Sequence, residues 1–104
     1  MRQFPCEFPG SGKALVYFGT QQCVPCKKVL PVLFELENIY KDVVFMACDI
    51  TDGNYGSQAC RELFEIRGVP TVIMFNFIDG VRHEIGRISG LVSKQKYIEF
   101  IEKE

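Results

Sequence analysis

Two short apolar runs, "ALVYF" (residues 14–18) and "VVFMACDI" (43–50), flank a segment whose hydrophobic residues recur at helical spacing. Both runs are rich in β-branched and aromatic side chains, the composition of strands covered on both faces. Between them, from Val24, the residues Val29, Leu30, Leu33, Leu36 and Ile39 form one stripe of a helix reaching about Tyr40. Two buried strands joined by one helix lie parallel, through a right-handed crossover. That unit commits the chain to an α/β sheet.

The downstream pattern completes it. After the turn-rich "TDGNYGSQ", residues 57–66 read as a helix with Ala59, Leu63 and Phe64 inward. "TVIMFNF" and "VRHEIGRI" flank "IDG", where Asp79-Gly80 is a strong hairpin signal. Ser93 is placed to cap a last helix burying Tyr97, Ile98 and Ile101. The expected order is β-α-β-α-β-β-α, a mixed central sheet with helices on both faces. With 104 residues, 47% of them hydrophobic, the chain fits a single domain over 1–104. Residues 1–12 are expected as a short strand, over 4–8, or a disordered segment.

Charge narrows the partners. Twelve basic and 13 acidic side chains leave no excess for nucleic acid, whose binding by counterion release draws on a basic surplus. Charged residues recur too often for a membrane span. "MRQFPCEFPG" has no apolar stretch of the kind a secretory signal carries, so a reducing compartment, the cytoplasm, is expected. A monomer is expected.

Chemistry concentrates in "GTQQCVPCKKVLP". Cys23 falls just past the carboxyl end of a parallel strand, at the first turn of a helix, where reactive groups of open α/β sheets collect. Free amide donors and the positive end of the helix dipole favour a thiolate there. A spacing of three puts Cys26 beneath Cys23 and within disulfide reach. Cys26 lies nearer the core, which suits a resolving thiol. Pro25 is tolerated in the first turn because its missing N–H has no helical partner anyway. Taken alone, C-x-x-C also fits half a metal site or two packing residues. A metal site needs about four ligands, and His83 is the sole histidine, with no second C-x-x-C; no metal is expected. Five cysteines leave at least one thiol free or paired between molecules. Cys48, inside a buried strand, is expected to be inert. Cys60 and Cys6 read as packing residues or bystanders, with regulatory oxidation as the alternative.

From Gly12 to Lys103 the chain resembles the thioredoxin family, through "ALVYF", "CVPCK", Pro31, "CDITD", "IRGVPT", "IDG" and "RISGLVSK". The resemblance implies a thioredoxin fold and a disulfide oxidoreductase that needs no bound cofactor. It implies a cis Val69–Pro70 bond facing the cysteine pair, in a groove that also takes in Gln22, Val24, Pro25 and Gly90. Without it, "GVP" reads as an ordinary turn before a strand. Protein disulfides are the implied substrates, and a thioredoxin reductase using NADPH the implied electron donor. Pro31 matches a proline that kinks the active-site helix; Lys27 follows the second cysteine as in the family.

The departures are specific. Gln22 and Gly19 stand where the family usually has tryptophan, and Val24 where it has glycine. Tyr17 replaces a buried aspartate, and Ala47 that aspartate's lysine partner. A phenol, with a pKa near 10, is a poor base near neutrality, so Tyr17 is expected to be a core aromatic. The expected reaction is thiol–disulfide exchange, Cys23 attacking and Cys26 resolving. Two readings compete: an oxidase or isomerase of an oxidising compartment, and a redox-inert module presenting its groove to a protein.

Overall fold

The computed structural model describes residues 1–3, 8–53 and 56–103. It contains β1 (Arg2–Gln3), β2 (Gly12–Gly19), α1 (Val24–Ile39), β3 (Val43–Asp49), α2 (Ser57–Leu63), β4 (Thr71–Ile78), β5 (Val81–Ser89) and α3 (Lys94–Glu102). The strands form one sheet in the order β1-β3-β2-β4-β5. β2 and β3 are parallel and joined through α1, as the change of hydrophobic period requires. β4 runs antiparallel to β2, and β5 antiparallel to β4.

Period-two alternation sorts the strand residues onto two cores. Leu15, Tyr17, Phe45, Ala47, Val72 and Met74 face α1 and α3, packing with Val29, Leu33, Leu36, Tyr97 and Ile101. Val16, Phe18, Met46, Cys48, Ile73 and Phe75 face the other way, against Cys60, Phe64 and Ile66. Helices therefore cover both faces of a mixed sheet, as expected from the sequence. The Asp79-Gly80 turn has both residues at positive φ, 51° and 77°, the conformation a two-residue hairpin favours. Ser93 caps α3, its hydroxyl accepting from the Lys96 N–H at 3.3 Å.

Three details differ from the sequence reading. An edge strand exists at Arg2–Gln3, paired parallel with Met46 and Ala47; the expected strand over 4–8 lies outside the described residues except Phe8, which is in no strand. α2 ends at Leu63, and its buried residues are Ser57 and Cys60, followed by Phe64. Ala59 and Leu63 point outward, Leu63 at 59% exposure. The helix offers two apolar stripes, 59/63 and 60/64. Phe64 selects the second: its ring meets Phe18 at 5.1 Å and Phe75 at 5.8 Å between centroids, and an aromatic there buries more area than Leu63 would. Ile39, in the last turn of α1, is likewise exposed.

Candidate active site

β2 delivers the chain to its carboxyl edge at Gly19, whose carbonyl accepts the Ile50 N–H at 2.8 Å. The next turn leads to Cys23, the N-cap of α1, with extended backbone (φ −79°, ψ 109°). Its sulfur accepts the Cys26 N–H at 3.1 Å. That contact satisfies one of the orphan donors of a helix N-terminus, and the first turn holds no acidic residue to oppose an anion. Cys23 and Cys26 are joined, with an S–S distance of 2.19 Å and Cα atoms 5.2 Å apart. Cys23 is 9% exposed and Cys26 1%. Cys23 is thus the more exposed of the two.

Gln22, Val24 and Pro25 are exposed around Cys23. Pro25 occupies the first turn of α1, and the helix continues through Pro31, which withholds the N–H that the Lys27 carbonyl would accept.

The second segment lies along the same edge. Val69–Pro70 is a cis peptide. Phe18 pairs with Thr71 across β2 and β4, which sets Pro70 beside the carboxyl end of β2. Pro70 is buried, and Val69 packs against both cores, including the one that holds Cys23 and Cys26. The Pro70 carbonyl accepts the Gly90 N–H at 2.8 Å. Gly90 has φ 86°, a conformation that glycine adopts without cost and other residues do not. So Cys23, Cys26, Val69, Pro70 and Gly90, drawn from separate stretches of the sequence, share one end of the sheet.

Behind the cysteines a cleft of about 360 Å³ is lined by Tyr17, Gly19, Gln21, Cys26, Ala47 and Asp49, among others. Tyr17 and Ala47 are direct neighbours in the β2–β3 register. Burial pushes the Tyr17 phenol up to about 12, with Asp49 and Tyr97 adding to the effect. It stays protonated near neutrality and supplies no base. Asp49 was not singled out from the sequence, though it lies within "CDITD". Its carboxylate accepts from Gln21 Nε2 at 3.2 Å, Thr51 N–H at 2.9 Å and Thr51 Oγ1 at 2.5 Å. A carboxylate therefore lines the cleft from the end of β3, where Ala47 and Tyr17 bring no charge.

Among the described residues no three His, Cys, Asp or Glu side chains converge as metal ligands. Nor is any helix among the described residues long and apolar enough to cross a membrane.

The arrangement can be compared with known proteins. The sequence model of the Thioredoxin family matches residues 6–103. The chain is 33% identical over 94 residues to thioredoxin of Chlamydia caviae, covering 90% of this chain and 84% of that protein. Among solved structures it is similar to oxidised thioredoxin O2 of Arabidopsis thaliana, with TM-score 0.73 at 30% identity over 90% of this chain and 76% of that one. It is also similar to oxidised mitochondrial thioredoxin 3 of Saccharomyces cerevisiae, with TM-score 0.73 at 28% identity, covering 90% and 80%.

Proposed function

The chain belongs to the thioredoxin family and is a thiol–disulfide oxidoreductase, and from that premise we propose that Cys23 is its attacking sulfur and Cys26 its resolving one. The observation that carries the assignment is the asymmetry of the pair. Cys23 sits at the helix N-cap with an N–H directed at its sulfur, whereas Cys26 is 1% exposed. An incoming disulfide can be approached in line by Cys23 alone.

In the reduced chain the Cys23 thiolate attacks one sulfur of a protein disulfide. A bond forms between Cys23 and that sulfur, and the second substrate sulfur leaves as thiolate. Cys26, having lost its proton, then attacks Cys23. The Cys23–Cys26 bond forms and the first substrate sulfur leaves. Two electrons pass from the chain to the substrate. Tyr17 does not take the Cys26 proton, because its own is held to about 12. That proton leaves through solvent in the cleft or to the departing substrate sulfur.

The groove belongs to the same proposal. Gln22, Val24 and Pro25 form one wall, and Val69, Pro70 and Gly90 the other, leaving space for an extended segment beside Cys23. The net direction is reductive, with protein disulfides as substrates and an NADPH-dependent thioredoxin reductase as donor. The working form is a monomer in the reducing cytoplasm. Insulin reduction driven by that reductase and NADPH tests this reading. Turnover above the uncatalysed rate, abolished in Cys23→Ser, is expected. No acceleration with insulin, either with the reductase or with dithiothreitol, would contradict it.

A further inference from the structure

On the opposite face of the sheet two more thiols are buried in one cluster. Cys48, on β3, and Cys60, on α2, are 3% and 7% exposed and belong to one apolar cluster. Their side chains interact, Cys60 adding to the burial that pushes the Cys48 thiol up. Neither is in a disulfide. Their meeting is fixed by the fold. Arg61, next to Cys60, donates through Nη2 to the Ile50 carbonyl at 2.6 Å, two residues beyond Cys48. That bond docks α2 beside the end of β3, with Cys48 and Cys60 in the one apolar cluster between them. The two-stripe ambiguity of α2 matters here, because the face that buries Phe64 also buries Cys60.

We propose that Cys48 and Cys60 are a second two-electron thiol couple, which closes to an intrachain disulfide on reaction with hydrogen peroxide. The two sulfurs divide the work by their surroundings. Burial, and then the neighbouring Cys60, push the Cys48 thiol up to about 12, so it keeps its proton. Cys60, the more exposed of the two and carried by the short helix α2, is the first to react. Its sulfur attacks one peroxide oxygen, the O–O bond breaks, and the other oxygen leaves with the Cys60 thiol proton as water, giving a sulfenic acid. The Cys48 sulfur then attacks the Cys60 sulfur, the S–O bond breaks, and the departing oxygen takes the Cys48 proton as a second water. Two thiols and one peroxide become one disulfide and two waters.

Access comes from α2. The helix has seven residues, and its N-cap, Gly56, makes no side-chain capping bond. Short, weakly capped elements open locally at low cost. Their opening admits a small oxidant, and their closing brings the sulfurs together within about 2.05 Å for the bond. The sheet separates this couple from Cys23–Cys26, which faces the other core. Its oxidation therefore proceeds without the active-site pair.

The test uses a chain with Cys6→Ser, Cys23→Ser and Cys26→Ser, exposed to hydrogen peroxide while folded, then alkylated in denaturant. Trypsin leaves Cys48 and Cys60 in one peptide, so cleavage before aspartate is used, which puts them in fragments 42–48 and 52–78. The expected result is loss of both alkylatable thiols, a chain lighter by two hydrogens, and these two fragments joined until dithiothreitol is added. The unsubstituted chain gives the same joined fragments, which guards against a folding defect in the variant. The proposal is overturned if both thiols remain alkylatable, if either ends as a sulfinic or sulfonic acid without linkage, or if the link joins two chains.

Discussion

The phenol oxygen of Tyr17 lies 1.9 Å from the point where a Cβ on Gly19 would stand, and ring atom Cζ lies 2.4 Å from it. The two residues are two apart on β2 and so share a face of the sheet. The tyrosine ring fills the space over residue 19 that a side chain would otherwise take. Two departures from the family pattern are thus one structural event: a large residue at 17 excludes any side chain at 19.

The pair should therefore behave as a coupled unit in a double-mutant cycle. Gly19→Ala alone overpacks the site and costs about 1–3 kcal/mol. In a Tyr17→Leu background the obstructing atoms are gone, and the same change should cost less by at least about 1 kcal/mol. Denaturant midpoints of the four proteins measure this. Additive effects would show that the ring moves aside freely.

Tyr17 also sets an alkaline limit. Its folded pKa, about 12 against an ordinary 10, means the native state holds the phenolic proton where the unfolded chain has lost it. The contribution is fully present below about pH 10 and is lost as pH rises toward 12. Cys48, also raised to about 12 by burial, acts in the same direction. Melting temperature should fall steeply over that window, and Tyr17→Phe should flatten part of the fall. The exchange rate near neutrality should remain unchanged in Tyr17→Phe, since the hydroxyl removed is no base there. A large rate loss with stability intact would place the phenol in the reaction.

Gly90 is a backbone position first. At φ 86° an added Cβ meets no atom within 4 Å, so Gly90→Ala tests conformation without a clash. A left-handed alanine costs roughly 1–2 kcal/mol, which lowers the melting temperature by about 4–8 °C per kcal/mol in a domain of this size. An unchanged melting temperature would show that the left-handed backbone at residue 90 carries no cost for alanine.

Much of this was legible in the sequence because its signals are local. A switch from strand to helical period announced β2, α1 and β3, and Asp79-Gly80 announced the hairpin. The C-x-x-C at a strand-to-helix junction located the site. What stayed hidden depends on tertiary choice. Ala59/Leu63 and Cys60/Phe64 are equivalent stripes on a short helix until Phe64 finds Phe18 and Phe75. The two-residue strand Arg2–Gln3 has no period to read. The Cys48–Cys60 contact joins a strand to a helix, and neither neighbourhood signals the other. The cis state of Val69–Pro70 came from resemblance alone. Asp49 reaches the cleft only because β3 ends beside β2 at Gly19.

The most direct test of the assigned roles is covalent trapping. Cys26→Ser, mixed with a disulfide-bonded protein substrate, should accumulate a mixed disulfide whose linked peptide contains Cys23, because the resolving sulfur is gone. Cys23→Ser should accumulate none, since Cys26 is 1% exposed and out of reach of a substrate. Peptide mapping of the trapped adducts reads both results at once. An adduct through Cys26 in the Cys23→Ser chain, formed as fast as the Cys23 adduct, would contradict the account.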